Sequence, residues 1–299
     1  MMMPFSFRLA VSLTAFIVAA PLAAGAQQKV DIRRAVTRDV YVRLNGAFSS
    51  LRVTGWQKDS LVMTGNLPRE SRLDPAMSGA GGAPAAGVKF YIEGSSSASV
   101  SGSLELFVPA GATVWAKSGS ATIDVTGITG GLDLNIVGGE VTVTGNPREL
   151  NVESMDGNVT VSGAPTWMRA KTASGDVTIR GSCTDLGITT VSGTVTVRDG
   201  SFERTRIESV TGNVTFGAGI ARAGSLLIDS HSGTIELQVG KASLDVDATT
   251  ITGRITNSVT TRRPTPGREG RGEELTLSLG TGDARATLRS FKGNIRLTR

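Results

Sequence analysis

The sequence predicts an all-β fold, a right-handed β-solenoid of about ten short coils with an irregular N-terminal β cap. Two observations support this prediction. Short segments with a central glycine recur at an interval of 18 residues, and each unit holds two runs in which apolar and polar residues alternate. Alternation with period two is typical of half-buried strands. The preference for right-handed strand connections predicts the hand of the coil.

The repeat is strictest in the middle of the chain. Four reference glycines are spaced 18 residues apart, and four more follow at steps of 19, 21, 20 and 40. We therefore expect coils of 18–21 residues, with the last step enlarged by an insertion. The eight glycines are Gly139, Gly157, Gly175, Gly193, Gly212, Gly233, Gly253 and Gly293.

Three columns of apolar residues are predicted to stack and form the core. The first lies two residues after each glycine and begins Val141, Val159, Val177, Val195. The second lies four residues after each glycine and is broken only at Asn257. The third comprises Leu134, Val152, Ala170, Ile188, Ile207, Ile228 and Val246.

The chain divides into three predicted regions. Residues 1–26 have the apolar run and the Ala24-Gly25-Ala26 cleavage pattern of a signal peptide. Residues 27–114 are predicted to form the N-terminal β cap, with a Gly/Ala/Pro-rich loop at 66–87. Residues 115–299 are predicted to form the solenoid, with an Arg-rich insertion at 260–273. No later run is long enough to span a bilayer, so we expect an exported protein that is periplasmic, secreted or cell-surface associated.

Composition excludes several classes of protein. One histidine and one cysteine cannot supply a disulfide framework or a Cys/His zinc site. A net charge of +5 over 299 residues is too small for a nucleic-acid footprint. We predict no cofactor, no metal and no nucleic-acid partner.

The motifs resemble those of the exported bacterial putative-adhesin family, a β-solenoid domain of unknown function. The resemblance rests on LRVTGWQKDSLVMTG at 51–65, on LELFVPAGA at 104–112 and on the serial [SDT]-G-x-[VI]-x-[VIL] units. It covers the chain from about residue 37 to the end. These motifs are structural, so the resemblance implies a fold and a surface role and supplies no catalytic residues.

Candidate catalytic residues are few. His231 falls in an apolar corner column, which favours packing or a local hydrogen bond, and no G-x-S-x-G motif accompanies it. Cys183 is predicted to be a turn residue stacked under Pro165, with an interchain disulfide as the alternative. The acidic residues Asp124, Asp133, Glu140, Asp156 and Asp176 are scattered along the sequence.

One outward column consists of threonines and is the predicted binding face: Thr142, Thr160, Thr178, Thr196 and Thr215. Threonine is also a common solvent-facing strand residue, which is the alternative reading. We expect a non-enzymatic exported surface or envelope interaction protein whose partner is a protein or a glycan. The alternatives are a carbohydrate-active β-helix enzyme and a purely structural periplasmic scaffold.

Overall fold

A computed structural model describes residues 27–78, 83–94, 102–240, 243–267 and 270–299. The prediction of an all-β fold is confirmed, since these ranges hold 22 β-strands and no α-helix. The predicted signal peptide at 1–26 lies outside the described residues.

The strands are numbered in chain order. The first seven form the N-terminal region: β1 (Gln27–Gly46), β2 (Ser50–Trp56), β3 (Ser60–Pro68), β4 (Arg72–Met77), β5 (Ala85–Glu93), β6 (Ser103–Pro109) and β7 (Thr113–Thr126). The next eight form the central stack: β8 (Gly131–Gly145), β9 (Glu149–Ser154), β10 (Asn158–Gly163), β11 (Trp167–Thr172), β12 (Val177–Gly181), β13 (Cys183–Thr190), β14 (Val195–Ser209) and β15 (Val214–Ser230). The last seven form the C-terminal region: β16 (Ile235–Gln238), β17 (Leu244–Thr250), β18 (Ile255–Asn257), β19 (Thr265–Pro266), β20 (Glu273–Leu279), β21 (Ala284–Ser290) and β22 (Ile295–Thr298).

The central strands pair in parallel with the register that the repeat predicts. Val159 lies between Val141 and Val177, and Val177 pairs in turn with Val195. All four side chains are fully buried. Parallel pairing at the repeat interval therefore builds one inward apolar column, as the sequence predicts.

The third predicted column also forms, with one correction at its end. Ile207 pairs with Ile228, and Ile228 pairs with Leu288. Leu288 pairs in turn with Ala248, which is the next residue in this column. The predicted residue, Val246, pairs instead with Ala286. Val246 is buried, but it lies one inward position away because the longer C-terminal loops shift the register by two residues.

Buried hydroxyls stabilise the corner before seven of the eight reference glycines, the exception being Gly139. Thr172 donates a 2.8 Å hydrogen bond to the carbonyl oxygen of Gly175, and Ser209 donates one of 2.6 Å to that of Gly212. Ser154 instead accepts a bond from the Gly157 amide. These bonds satisfy backbone groups that the turn would otherwise leave buried and unpaired.

The coils do not follow chain order at the C-terminal end. Strand β22 lies between β16 and β18, and β21 lies between β15 and β17. The last coil in sequence, which contains β21 and β22, therefore lies between the coil of β15 and β16 and the coil of β17 and β18. The expected order Gly233, Gly253, Gly293 is wrong, because Gly293 contacts Gly233 and Gly253 contacts Gly293.

The N-terminal region shows the same interleaving and differs from the irregular cap that the sequence predicts. The second half of β1 lies between β5 and β7, and β2 lies between β6 and β7. The segment predicted as a loop at 66–87 contains β4, which pairs antiparallel with β5. Strand β4 pairs with one described strand, β5. The backbone N–H that Pro75 lacks is not needed at the other edge of β4, where no ladder hydrogen bond forms with a described strand.

Antiparallel strands cover the parallel stack at both ends. Strand β3 pairs with β6 and with the first half of β1, and β20 pairs with β17. Strand β20 runs opposite to the coil strand β17 with which it pairs. These strands occupy edges that would otherwise be open to intermolecular pairing.

Candidate functional site

The predicted threonine column forms a continuous outward row. Thr142, Thr160, Thr178, Thr196 and Thr215 are paired one to the next across five parallel strands. Each is half-buried and points away from the core, because its two neighbours in the strand are buried. Strand spacing places successive threonines roughly 4.8 Å apart. We call this row the threonine face.

Carboxylates mark both ends of the threonine face. Asp124 pairs with Thr142 at one end, and Glu236 pairs with Thr215 at the other. Within the described residues, none of the five threonine hydroxyls bonds to another protein group. The face therefore offers free hydroxyl and methyl groups between two acidic ends.

The polar residues beside this face have a structural role. Asn158 accepts a 2.9 Å hydrogen bond from the Asp176 amide, and Asp176 accepts one of 2.7 Å from the Thr194 amide. Each side chain thus binds the backbone of the next coil. No group of three or more potential metal ligands occurs in the described part of the chain.

Three carboxylates from two consecutive strands share a cleft on the other side of the stack. Asp133, Glu149 and Glu153 lie on β8 and β9 and line a cavity of about 480 Å³ with Trp115 and Trp167. Of these acids, only Asp133 is among the sequence-predicted candidates, as one of a scattered set. The signal that could have found the cleft is the 18-residue interval itself, applied to outward positions.

His231 is exposed rather than packed into a corner of the core. Its ring stacks on that of Phe291, with centroids 5.2 Å apart and planes 9° from parallel. The apolar residues of the same corner column are also exposed, so the packing predicted for His231 occurs at the surface, against Phe291. Val137 lies within β8, and each of the others directly follows the end of a strand: Met155, Val191, Val210, Phe291 and Ile251.

Cys183 begins β13 and is 4% exposed. It pairs with Phe202, and its Sγ lies 3.6 Å from the Thr166 carbonyl oxygen, so it is a strand residue and not the predicted turn residue. Burial raises the pKa of the Cys183 thiol to about 11, with hydrogen bonds and nearby charges making smaller contributions. A buried, protonated thiol is a poor partner for an interchain disulfide.

The raised pKa predicts a specific loss of stability in alkali. The unfolded thiol ionises near pH 9.0, whereas the folded thiol keeps its proton until about pH 11. Between these values the folded state binds more protons, so the free energy of unfolding falls as pH rises, by about 1–2 kcal/mol from this group. Urea titrations at pH 8 and pH 11 should show a larger fall for the wild type than for Cys183→Ala. Equal falls in the two proteins would contradict the assignment.

The Arg-rich insertion is a solvent-exposed turn in its described part. Arg262, Arg263 and Arg271 are exposed, and Arg268 lies outside the described residues. The Arg262 carbonyl oxygen accepts a 2.8 Å hydrogen bond from Asn257, and Thr265 of β19 pairs with Glu274 of β20. These contacts anchor the turn to the outermost coil.

A search for membrane-crossing helices among the described residues finds none. No curated protein matches the chain. Two solved structures match it with 8% sequence identity each. One is a putative cell adhesion protein from Clostridium sporogenes, with a TM-score of 0.22, covering 91% of this chain and 99% of that one. The other is a putative adhesin from Bacteroides fragilis, with a TM-score of 0.42, covering 91% of this chain and 98% of that one.

The family model for Toastrack DUF4097 matches residues 132–298. This range contains the inserted C-terminal coil and the whole threonine face. The resemblance to the putative-adhesin family is confirmed. The chain belongs to the Toastrack DUF4097 family.

Proposed function

We propose that this protein is a non-enzymatic, exported interaction protein of the bacterial surface or envelope, and that the threonine face contacts its partner. In this proposal the chain winds as a right-handed solenoid of about ten coils, and residues 1–26 direct its export. The observation that carries the proposal is the in-register row from Thr142 to Thr215, with hydroxyls that bind no other described residue.

The threonine face suits a flat, repetitive partner. Its hydroxyls donate and accept hydrogen bonds, its methyl groups offer apolar contact, and backbone pairing holds both at a fixed interval. Side chains on paired strands lose little conformational freedom when a partner binds, so the cost of ordering them is small.

The enzyme alternative depends on the cleft that contains Asp133, Glu149 and Glu153. Hydrolysis of a glycoside generally needs one carboxyl group as acid and a second as base or nucleophile. Here Asp133 accepts hydrogen bonds from two asparagines, Glu153 pairs with Lys171 at 3.2 Å, and Glu149 pairs with Arg148 at 3.4 Å. All three carboxylates are engaged by neighbouring side chains, which favours binding over hydrolysis.

The test replaces three central residues of the threonine face with lysine: Thr160→Lys, Thr178→Lys and Thr196→Lys. The side chains are half-buried and face outward, so each change should cost only a fraction of about 1 kcal/mol in stability. Binding of the purified protein to a microbial glycan array and to fixed bacterial cells should fall at least about tenfold, because lysines clash with a flat partner.

A matched variant with Thr249→Lys, Thr276→Lys and Thr287→Lys adds the same charge on outward strand positions away from the threonine face. This control should bind like the wild type. Equal binding by both triple variants, or no binding by the wild type, would overturn the proposed face. Release of reducing sugar from the bound glycans would favour the enzyme alternative.

A further inference from the structure

Two tryptophans face a shared cleft on the side of the stack away from the threonine face. Trp115 lies on β7 and Trp167 on β11, with β8 and β9 between them. Three strand spacings separate the two strands, which is roughly 14 Å. Trp167 is 36% exposed and Trp115 is half-buried, so both rings reach the surface.

An arginine covers the outer side of each ring. Arg43 on β1 pairs directly with Trp115 on the side away from β8, and its guanidinium carbon lies 4.3 Å from the ring centroid. This contact fixes the indole by a cation–π interaction. The ring face towards β8 is left for other contacts.

Arg169 lies on the same strand as Trp167, two residues after it, and its guanidinium carbon is 4.6 Å from the Trp167 ring centroid. Its guanidinium reaches towards β13, where it forms a 2.8 Å ion pair with Asp185. The absence of a side chain at Gly187 makes room for it, since a Cβ there would lie 2.6 Å from the Arg169 Cδ. The uncovered face of Trp167 is therefore directed towards β9, and the two tryptophans form opposite walls of one cleft.

The floor between the walls is polar and recessed. Gly131 contributes no side chain between Thr113 and Glu149. The Asp133 Oδ1 accepts hydrogen bonds from Asn135, at 2.7 Å, and from Asn151, at 3.1 Å. These bonds orient the carboxylate and leave its second oxygen and the Asn151 carbonyl oxygen available as acceptors.

We propose that this cleft, which we call the aromatic cleft, binds a saccharide chain between Trp115 and Trp167. The apolar C–H faces of sugar rings would lie against the indoles, and sugar hydroxyls would donate to Asp133 and Asn151. Aromatic walls with a few oriented polar groups are the usual composition of a small-ligand site. The site is separate from the threonine face and shares no lining residue with it.

The charge of the aromatic cleft selects among saccharides. Glu149 and Glu153 each pair with a cation, Arg148 and Lys171, whereas among the described residues Asp133 is held only by asparagine amides. The charge of Asp133 disfavours uronic acids and other acidic sugars through like-charge repulsion. A neutral sugar or an amino sugar fits the site.

The test titrates the full chain with tetrasaccharides of glucose, mannose, galactose and N-acetylglucosamine, with tetragalacturonate as the acidic comparison. Tryptophan fluorescence reports occupancy of the aromatic cleft, and calorimetry gives the affinity. At least one neutral or amino-sugar chain should bind more tightly than tetragalacturonate and shift the emission. Trp167→Ala should weaken that binding at least about tenfold, or 1.4 kcal/mol, whereas Trp167→Phe should retain most of it.

Trp167 is partly exposed, so Trp167→Ala should fold, which circular dichroism checks. Asp133→Asn should weaken binding without removing the fluorescence shift, since the walls remain. The Thr160→Lys, Thr178→Lys, Thr196→Lys variant should bind the saccharide normally, so failure of one site is distinguishable from failure of the other. Absence of binding by every neutral and amino-sugar chain, tighter binding of tetragalacturonate, or unchanged affinity in Trp167→Ala would overturn the proposal.

Discussion

Leu288→Ala is expected to lower the free energy of unfolding by about 2–5 kcal/mol, the range for removing a large side chain from a packed core. Leu288 is fully buried on β21, between Ile228 of β15 and Ala248 of β17. A cavity here weakens two interfaces, because the strand is inserted between two others. Urea denaturation measures the loss.

Hydrogen exchange tests the position of the inserted strand directly. The amides of 244–257 should lose protection in Leu288→Ala, although they precede the mutated strand in sequence, because that strand connects them to the stack. The neighbouring substitution Arg289→Ala changes an exposed side chain and should stay within about 0.5 kcal/mol of the wild type. Fraying confined to 284–298, with 244–257 still protected, would be incompatible with the interleaved end.

Gly193→Ala is expected to cost about 3 kcal/mol, the upper part of the usual range for overpacking. A Cβ at Gly193 would lie 2.0 Å from the carbonyl oxygen of Gly175 and 2.7 Å from its carbonyl carbon. Both are backbone atoms of the coil below, so no side-chain rotation relieves the clash. The coils would have to separate at this corner.

Gly119→Ala is the matched control, since a Cβ there meets no atom within 4 Å. Its stability should be unchanged or higher by up to about 1 kcal/mol, because alanine restricts the unfolded chain. Thermal unfolding of the two variants measures the difference. Equal melting temperatures would show that the contact between Gly175 and Gly193 does not require glycine.

The central coils could be predicted from sequence because a single interval relates every pair of neighbours. Val141, Val159 and Val177 occur at that interval. Pairing in register places all three on the same face of the sheet, so they are buried together. The threonine row follows from the same alternation, since a shift of one residue would exchange the two faces.

The order of the last coils could not be read in this way. Ile255 and Ile295 have the same residue type and the same position after their glycines, so either could lie next to Ile235. The one clue was Asn257, a polar residue in an otherwise apolar column. It is half-buried, which is compatible with the outer coil, while Leu297 takes the buried place beside Leu237.

The aromatic cleft was missed because its parts carry no common residue type. Trp115, Asp133, Asn151 and Arg169 occupy successive places in one outward column, yet they share neither charge nor polarity. A periodic pattern reveals residues with the same role. A binding site assembles residues with different roles, and only the register brings them together.

The interleaved ends determine where this protein can change in length. Wherever both partners lie between 121 and 198, the paired residues are 18 apart. Duplication of one unit in this stretch therefore adds one coil, roughly 4.8 Å, and leaves the other pairings unchanged. A unit added after Gly233 would instead separate β22 from β16 or from β18, the two strands with which it pairs. Growth by duplication is thus confined to the middle of the chain, and the two ends move apart as intact blocks.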